Sequence, residues 1–280
     1  AVMKLDFPIT ITKMSGAGND FIVIDHRSGF IPEPYQPQFA QLVCRHSFSG
    51  GADGLILIED HGSEDFSWRF YNKDGSVAEM CGNGARCAAR FAWRKGIAGR
   101  RMRFATLAGV IEAELIGEQE HVRVTMTDPS DYQDSLLITL GESEKEVFFI
   151  NTGVPHAVVF VDSENPPVEH WGRTLRYHEQ FEPAGTNANF VKILEDDELL
   201  VRTYERGVEA ETMACGTGVV AAAIVAARQG LVESPVDVTT TGGEQLVVQF
   251  TLGESTVDDV HLQGPARIIY EAELSAEALL

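Results

Sequence analysis

The chain has 280 residues, of which 44% are hydrophobic and 23% are charged, and this composition excludes disordered and fibrous proteins. Asp and Glu number 42 against 22 Lys and Arg, giving a formal net charge of −20, which disfavours nucleic acids and anionic membrane surfaces as partners. The longest apolar run, residues 219–227, is too short to cross a membrane. No secretory signal is evident, so we expect a cytoplasmic protein.

Runs rich in β-branched and aromatic residues predict β-strands along the chain. In chain order these are residues 21–25, 55–59, 121–126, 146–151, 157–162, 190–194, 199–204 and 245–250. Residues 85–95 and 218–229 predict α-helices, since each stretch is followed by a glycine suited to the position beyond a helix end. The second stretch is apolar on every side, so we expect it to be buried.

The two halves of the chain resemble each other in sequence. The matching pairs of segments are 14–25 with 151–162, 51–56 with 185–190, and 69–84 with 202–218. Because the matches keep their order along both halves, we infer two homologous domains. The first comprises residues 1–128 plus 266–280, whose C-terminal segment returns as an exchanged strand, and the second comprises residues 129–265. Each is expected to be a strand-rich layer wrapped over one central helix.

The strongest chemical signal is a pair of cysteines, Cys81 and Cys215, each followed by Gly-x-Gly directly before a predicted helix. Backbone N–H groups and the helix dipole at such a position stabilise an anion. They lower the pKa of a thiol from about 8.5 toward neutrality, and they also form a cradle for a carboxylate. The glycines allow the backbone to approach a ligand closely.

Two such cysteines related by a repeat would present two thiols on opposite sides of an interdomain cleft. Two opposed acid/base groups suit stereoinversion: one thiolate removes the α-proton of an amino acid, and the opposite thiol delivers a proton to the other face. The N–H groups at the helix starts would hold the α-carboxylate and stabilise the carbanionic transition state. This layout requires no metal and no organic cofactor.

The cysteines also have other interpretations. An isolated cysteine is ordinarily a buried small hydrophobic residue, and we assign this role to Cys44 and Cys87. Zinc sites need closely spaced Cys or His ligands, and the sequence has no such cluster, so no metal is expected. A disulfide between Cys81 and Cys215 is geometrically conceivable, and it would inactivate the protein or, in a redox sensor, switch it.

Polar residues near the predicted cleft suit a zwitterionic, dicarboxylic substrate. Arg206 would bind a distal carboxylate through two hydrogen bonds, and Glu205 would accept from an ammonium group. Asparagine amides both donate and accept, and the candidates are Asn19, Asn72 and Asn187. The alternatives are turn chemistry for the asparagines, a surface ion pair for Glu205 with Arg206, and a packed histidine for His156.

Six segments of the chain together resemble the diaminopimelate epimerase family. They are residues 13–25, 51–59, 70–91, 151–161, 185–191 and 202–221, which include KMSGAGNDFIVID, FYNKDGSVAEMCGNGARCAARF and RTYERGVEAETMACGTGVVA. These segments span most of the chain in the family's order. The resemblance implies a cofactor-independent isomerase that interconverts LL-2,6-diaminoheptanedioate and its meso form, in lysine and peptidoglycan precursor biosynthesis.

The same resemblance implies a fold and a site. The fold is α+β, with two homologous, pseudo-symmetric domains, each a curved, mostly antiparallel sheet wrapped around a central helix, and family members are usually homodimers. Cys81 and Cys215 match the two catalytic acid/base residues. The positions that match substrate contacts are Asn19, Asn72, Gly82, Asn83, His156, Asn187, Glu205, Arg206, Gly216 and Thr217.

Two positions depart from the family pattern: Val154 stands where many members have asparagine, and Gly54 where many have glutamine. The distal end of the substrate is therefore expected to be held somewhat differently. Two other functions fit the same residues. A proline or hydroxyproline racemase of this fold would act on a monocarboxylic substrate and would not need Arg206 or Asn72. A non-catalytic module that binds an amino acid would not need its cysteines.

Overall fold

A computed structural model describes residues 5–78, 81–117, 121–194 and 198–280. The chain divides into two compact units, the first comprising Ala1–Val124 with Gly264–Leu280 and the second comprising Thr125–Gln263. Strands dominate both units, and the described part of the chain forms four α-helices. None of the helices in these ranges is long and apolar enough to span a membrane.

The described residues of the first unit form a sheet of eight strands. In chain order they are β1 (Ile9–Gly16), β2 (Asn19–Asp25), β3 (Gly54–Glu59), β4 (Phe66–Asn72), β5 (Arg101–Thr106), β6 (Gly109–Ile116), β7 (His121–Thr125) and β17 (Arg267–Leu274). The spatial order is β17-β1-β2-β3-β4-β5-β6-β7, in which β2–β3 and β4–β5 are parallel and the other pairs antiparallel. The C-terminal strand β17 therefore belongs to the first unit, paired with β1.

The second unit repeats this arrangement in its own residues. Its strands are β8 (Ser130–Leu140), β9 (Ser143–Asn151), β10 (Pro155–Phe160), β11 (Asn187–Ile193), β12 (Glu198–Glu205), β13 (Ala210–Thr212), β14 (Val236–Thr240), β15 (Gln245–Leu252) and β16 (Val257–Pro265). The spatial order is β8-β9-β10-β11-β12-β14-β15-β16, again with the third and fifth pairs parallel, while β13 pairs with β12. Two halves with the same order and direction of pairing confirm the predicted fold class.

Each sheet packs on a central helix, as the sequence predicted. In the first unit α2 (Gly82–Arg94) packs on β1, β2, β3 and β6, and in the second α4 (Gly216–Arg228) packs on β9 to β12, β14 and β15. Every residue of α4 from Gly218 to Ala227 is buried. In both units most apolar side chains of the central helix are buried against the sheet, and in α4 nearly the whole helix is buried. Removal of this apolar surface from water stabilises each unit.

Two further helices, α1 (Gln36–Val43) and α3 (Val168–Arg176), were not predicted from the sequence. Both are short, and α1 packs on β3 and β4 while α3 packs on β11, β12 and β13. Leu55 and Leu57 of β3 lie in one core cluster with α1, whereas Ile56 faces Gly84 of α2. The continuous apolar run of β3 is thus explained by helices on both faces of its sheet.

All eight predicted strands are present, but both central helices begin earlier than predicted, at Gly82 and Gly216. The expected glycine-rich turn is the first turn of the helix, and the cysteine before it is the N-cap in an extended conformation. Glycine is a poor helix former, so the pattern alone favours a turn. Packing overrides this preference at Gly218, where an added Cβ would lie 2.4 Å from Asn189 Oδ1.

Candidate active site

Cys81 is the N-cap of α2, and its side chain is half-buried. Its Sγ accepts a hydrogen bond from the Gly84 N–H at 3.4 Å, as a capping side chain does in the first turn of a helix. This N–H and the positive end of the helix dipole stabilise negative charge on the sulfur. The start of α2 therefore favours a thiolate.

Asn83 connects the start of α2 to the start of β2. Its Nδ2 donates to Asn19 Oδ1 at 2.7 Å, and Asn19 Nδ2 donates to Asp53 Oδ2 at 3.2 Å. The buried Arg86 donates from Nη2 to Asn83 Oδ1 at 2.8 Å. Because a guanidinium only donates, this contact sets which way the Asn83 amide points. The first unit thus brings Asn19 and Asn83 together beside Cys81.

Cys215 is the N-cap of α4, and its sulfur has a different neighbour. Thr217 Oγ1 lies 3.5 Å from Cys215 Sγ and 2.9 Å from His156 Nε2. His156 is fully buried, and burial together with the positive charge of Arg206 lowers its pKa to about 3. The imidazole is therefore neutral near neutral pH. Three of the sequence candidates contact one another in the second unit.

The lowered pKa of His156 predicts a fold that loses stability in mild acid. The pKa falls from 6.5 to about 3 on folding, so the unfolded state binds the proton first as the pH falls. The stability that the neutral His156 contributes is fully present above about pH 6.5 and is lost as the pH falls toward 3. The free energy of unfolding falls from this cause by no more than about 1.4 kcal/mol per pH unit. We expect the free energy of unfolding in urea to fall less steeply between about pH 7 and about pH 5.5 in His156→Gln than in the unsubstituted protein.

The control for this prediction is His121→Gln, because His121 is exposed on β7. As a surface substitution, it should change the free energy of unfolding at pH 7 by no more than about 0.5 kcal/mol. Equal slopes in His156→Gln and the unsubstituted protein would contradict the prediction.

Asn187 opens β11 and holds the backbone at Arg206. Its Nδ2 donates to the Pro155 carbonyl at 2.9 Å, and its Oδ1 accepts from the Arg206 N–H at 2.8 Å. Arg206 Nη1 donates to the Ala184 carbonyl at 2.9 Å, and the guanidinium has further N–H groups for a ligand. Glu205 ends β12, and burial raises its pKa. The Asn187 side chain therefore links Pro155 to the backbone of Arg206 through two hydrogen bonds.

Asn72, at the end of β4, lies in a tight turn. Its Nδ2 donates to Ser76 Oγ at 3.0 Å, and its backbone N–H donates to the Ser76 carbonyl at 2.8 Å. Gly54 lies opposite Asn72 in the β3–β4 pair. A Cβ at Gly54 would be 2.6 Å from Phe70 Cε2, so the Phe70 ring occupies the space that a glutamine side chain would need.

Gly82 and Asn83 begin α2, and Gly216 and Thr217 begin α4. The first N–H groups of a helix have no acceptor within that helix. N–H groups of this kind bind anions in many proteins, and here they lie directly beside Cys81 and Cys215.

Cys44 and Cys87 are buried, which confirms the role predicted for them. Burial raises the pKa of each thiol to about 12, so neither forms much thiolate near neutral pH. Within the described ranges no group of three or more His, Cys, Asp or Glu side chains is arranged to hold a metal ion.

Sequence reasoning missed the polar residues that hold the candidate side chains in place. These are Asp53 and Arg86 in the first unit and Asn189 and Thr203 in the second. The signal was available, because Asn189 and Thr203 interrupt apolar strands and a buried polar group is costly unless it is hydrogen-bonded. Their partners, however, were not readable from a linear pattern.

Comparison with known proteins finds similarity along nearly the whole chain. The profile of the family described as "Diaminopimelate epimerase" matches residues 11–131 and 148–267. The diaminopimelate epimerase of Aquifex aeolicus (strain VF5) is 49% identical over 277 residues, covering 95% of this chain and 98% of its own. That of Hydrogenobaculum sp. (strain Y04AAS1) is 45% identical over 279 residues, covering 95% and 99%.

A solved structure shares the fold at low sequence identity. The phenazine biosynthesis protein of the PhzF family from Bacillus anthracis superposes with a TM-score of 0.73 at 14% identity, covering 96% of this chain and 100% of its own. At this identity the likeness concerns the architecture alone.

Proposed function

Because this chain belongs to the diaminopimelate epimerase family, we propose that it interconverts LL-2,6-diaminoheptanedioate and meso-2,6-diaminoheptanedioate by a two-base mechanism. The observation that supports this most directly is that Cys81 and Cys215 are both N-caps of central helices in units of the same topology. A thiol in that position is activated as a base, and epimerisation needs one acid/base group for each face of the α-carbon.

The reaction breaks one C–H bond and forms another at the same carbon. One cysteine, as the thiolate, takes the α-proton, and the other, as the thiol, gives its proton to the opposite face. The two cysteines thereby exchange protonation states in each turnover. Negative charge that develops toward the α-carboxylate is stabilised by N–H groups at the helix starts. These groups replace the electron sink that a cofactor would supply, so we propose that no cofactor takes part.

The remaining polar residues suit the two ends of a zwitterionic, dicarboxylic substrate. Arg206 would bind the distal carboxylate with N–H groups beyond the one that contacts Ala184. Glu205 would accept from an ammonium group, and the candidate amides would complete the contacts. They are those of Asn19, Asn72, Asn83 and Asn187. A substrate without a distal carboxylate, such as proline, would leave Arg206 without this role.

Deuterium incorporation tests the proposed reaction. The reduced protein is incubated with LL-diaminopimelate in D₂O, and the stereoisomers and their deuterium content are resolved. We expect meso product with deuterium at the inverted centre, because the proton delivered comes from a thiol that exchanges with solvent. Prior alkylation of the thiols should abolish the product.

Folded, fully reduced protein that forms no product and takes up no deuterium would overturn the proposed function. Proline and hydroxyproline would then be tested under the same conditions. Product that persists after complete alkylation of Cys81 and Cys215 would overturn the mechanism but not the activity.

We propose also that the protein is cytoplasmic and forms a homodimer. The family resemblance supports both statements, and light scattering on the purified protein tests the second. The pathway role, lysine and peptidoglycan precursor biosynthesis, follows from the proposed reaction.

A further inference from the structure

Five side chains of the second unit form a continuous series of hydrogen bonds that ends at Cys215. Thr203 Oγ1 donates to Asn189 Oδ1 at 2.9 Å, and Asn189 Nδ2 lies 3.0 Å from His156 Nδ1. His156 Nε2 lies 2.9 Å from Thr217 Oγ1, which lies 3.5 Å from Cys215 Sγ. The first three residues of this hydrogen-bond chain are buried, so bulk water does not compete for their bonds.

The direction of the hydrogen-bond chain is set at Asn189. Its Nδ2 lies 2.9 Å from the carbonyl oxygen of Ala157, which can only accept. The flipped amide would place two oxygens at this distance, so the NH₂ group faces both Ala157 and His156. Because an amide NH₂ only donates, His156 Nδ1 must be the acceptor.

An accepting Nδ1 determines the tautomer of His156. The neutral ring then has its hydrogen on Nε2, and Nε2–H donates to Thr217 Oγ1. Because Thr217 Oγ1 accepts this bond, its own hydrogen points away from His156. Cys215 Sγ lies 3.5 Å from Thr217 Oγ1 and can accept that hydrogen. A hydrogen bond donated to sulfur stabilises the thiolate relative to the thiol. Burial and the positive charge of Arg206 both disfavour a second proton on His156. They therefore keep Nδ1 unprotonated, as an acceptor from Asn189.

The first unit indicates that the fold does not require these polar residues. In the β3–β4 pair Ile56 packs on Gly84 of α2 and lies opposite Phe70. In the β11–β12 pair the residue that packs on Gly218 of α4 is Asn189, which lies opposite Thr203. Both pairs are buried. An amide and a hydroxyl in place of two apolar side chains lower stability unless they are fully hydrogen-bonded. Because the polar pair is present in only one of the two halves, we infer that it has a function other than packing.

Gly218 makes room for the hydrogen-bond chain in the first turn of α4. An added Cβ would lie 2.4 Å from Asn189 Oδ1 and 3.3 Å from both His156 Cε1 and Thr203 Oγ1. At Gly84, the corresponding position of α2, the nearest such atom is 3.4 Å away. The start of α4 is therefore packed closely around Asn189.

We propose that Asn189 and Thr203 are positioning residues for Cys215: by holding His156 in its Nε2–H tautomer, they make the Thr217 hydroxyl a hydrogen-bond donor to the Cys215 sulfur. The catalytic importance of this bond rests on the proposed function, in which Cys215 is an acid/base residue. The bond itself does not, and it can be tested without turnover.

The tautomer of His156 is measured first, by long-range ¹H–¹⁵N correlation NMR of the ¹⁵N-labelled protein, with His156→Gln used to assign its signals. We expect a neutral ring protonated on Nε2. In Asn189→Asp, which has nearly the same shape, a carboxylate replaces the NH₂ donor and attracts a proton to Nδ1. The signature should therefore change to that of a ring protonated on Nδ1, an effect that a merely structural role of Asn189 does not predict.

The reactivity of Cys215 is measured second, as the rate of alkylation by iodoacetamide near neutral pH, located by mass spectrometry. The parent is Cys81→Ala, and the two other cysteines are buried thiols with pKa values of about 12. Adding Thr217→Val should slow alkylation about tenfold, the effect of one hydrogen bond to a charged acceptor. Thr217→Ser keeps the hydroxyl and should stay within about twofold of the parent. Asn189→Asp should resemble Thr217→Val, and Thr203→Val should slow alkylation by a smaller factor.

Two results would overturn the proposal: a ring protonated on Nδ1 in the unsubstituted protein, or equal alkylation rates in Thr217→Val and the parent. Neither of these two results is read from Asn189→Asp, so failure of that variant to fold leaves both decisive. Neither readout requires turnover. A protein without epimerase activity would therefore refute the proposed function, and the tautomer of His156 and the alkylation rate of Cys215 would still decide this inference.

Discussion

Replacing Cys81 or Cys215 by serine is expected to slow inversion strongly while leaving proton exchange on one face of the substrate. A serine hydroxyl stays protonated near neutral pH, so it does not replace a thiolate as the base. Loss of a positioned acid/base group lowers the rate by about 10²–10⁴. We therefore expect kcat for conversion of the LL to the meso form to fall by about 10³ in each variant.

The two serine variants should differ in the stereoisomer whose α-proton they exchange with D₂O. In the proposed mechanism each thiol serves one side of the α-carbon, so the remaining thiol should exchange the proton of the stereoisomer that presents its C–H bond to that side. Cys81→Ser and Cys215→Ser should therefore prefer opposite stereoisomers, as read by mass spectrometry of the recovered substrate.

The control is Cys44→Ala, which removes a buried thiol outside the candidate site and should keep both exchange and inversion. Inversion at the unsubstituted rate in either serine variant would exclude the two-base assignment. The same preference in both variants would show that the two thiols do not serve opposite faces.

Alanine in place of Gly218 is expected to destabilise the protein, although alanine is the better helix former by about 1 kcal/mol. The added Cβ would lie 2.4 Å from Asn189 Oδ1, and Asn189 is held by hydrogen bonds to Thr203 and Ala157. Forcing an extra methyl group into such a site costs about 1–3 kcal/mol. We expect the free energy of unfolding in urea to fall by about 2 kcal/mol, and turnover to fall with it because Asn189 moves.

Gly84→Ala is the matched control, at the same position of the other central helix. The nearest atoms to an added Cβ there lie at 3.4 to 3.6 Å, which is ordinary contact. This substitution should be neutral or stabilising by up to about 1 kcal/mol. Equal losses of stability in Gly84→Ala and Gly218→Ala would mean that packing against Asn189 does not explain the glycine.

Local patterns were sufficient for much of the fold. Each predicted strand is a run of β-branched and aromatic residues, and burial of such a run on a sheet follows from its composition. Strand β1 was missed because its sequence, ITITKMSG, includes polar residues, most of them on the less buried face. Pairing with β17 stabilises β1, and the sequence predicted β17 only as a C-terminal strand that returns to the first domain, without naming the strand it pairs with.

The candidate site was predictable to the extent that its chemistry lies in contiguous residues. Cys81 and Cys215 stand beside the glycines and helix starts that are proposed to activate them, so the linear pattern contains both the group and its environment. Asn72 is different. Its amide is of a type that binds substrates, but in the structure this amide donates a hydrogen bond to Ser76 Oγ within its own turn.

The sequence by itself determined the repeat, the strand-rich halves, the two central helices and the paired cysteines at their starts. All of these depend on residue type and spacing within a short segment. Only the tertiary structure decided where those helices begin, that β17 joins β1, and which polar groups face each other. His156 meets Asn189 and Thr217 across 33 and 61 residues of chain. Hydrogen bonds require donor and acceptor within about 3 Å at a suitable angle, and that distance is decided by how distant strands pack rather than by residue type.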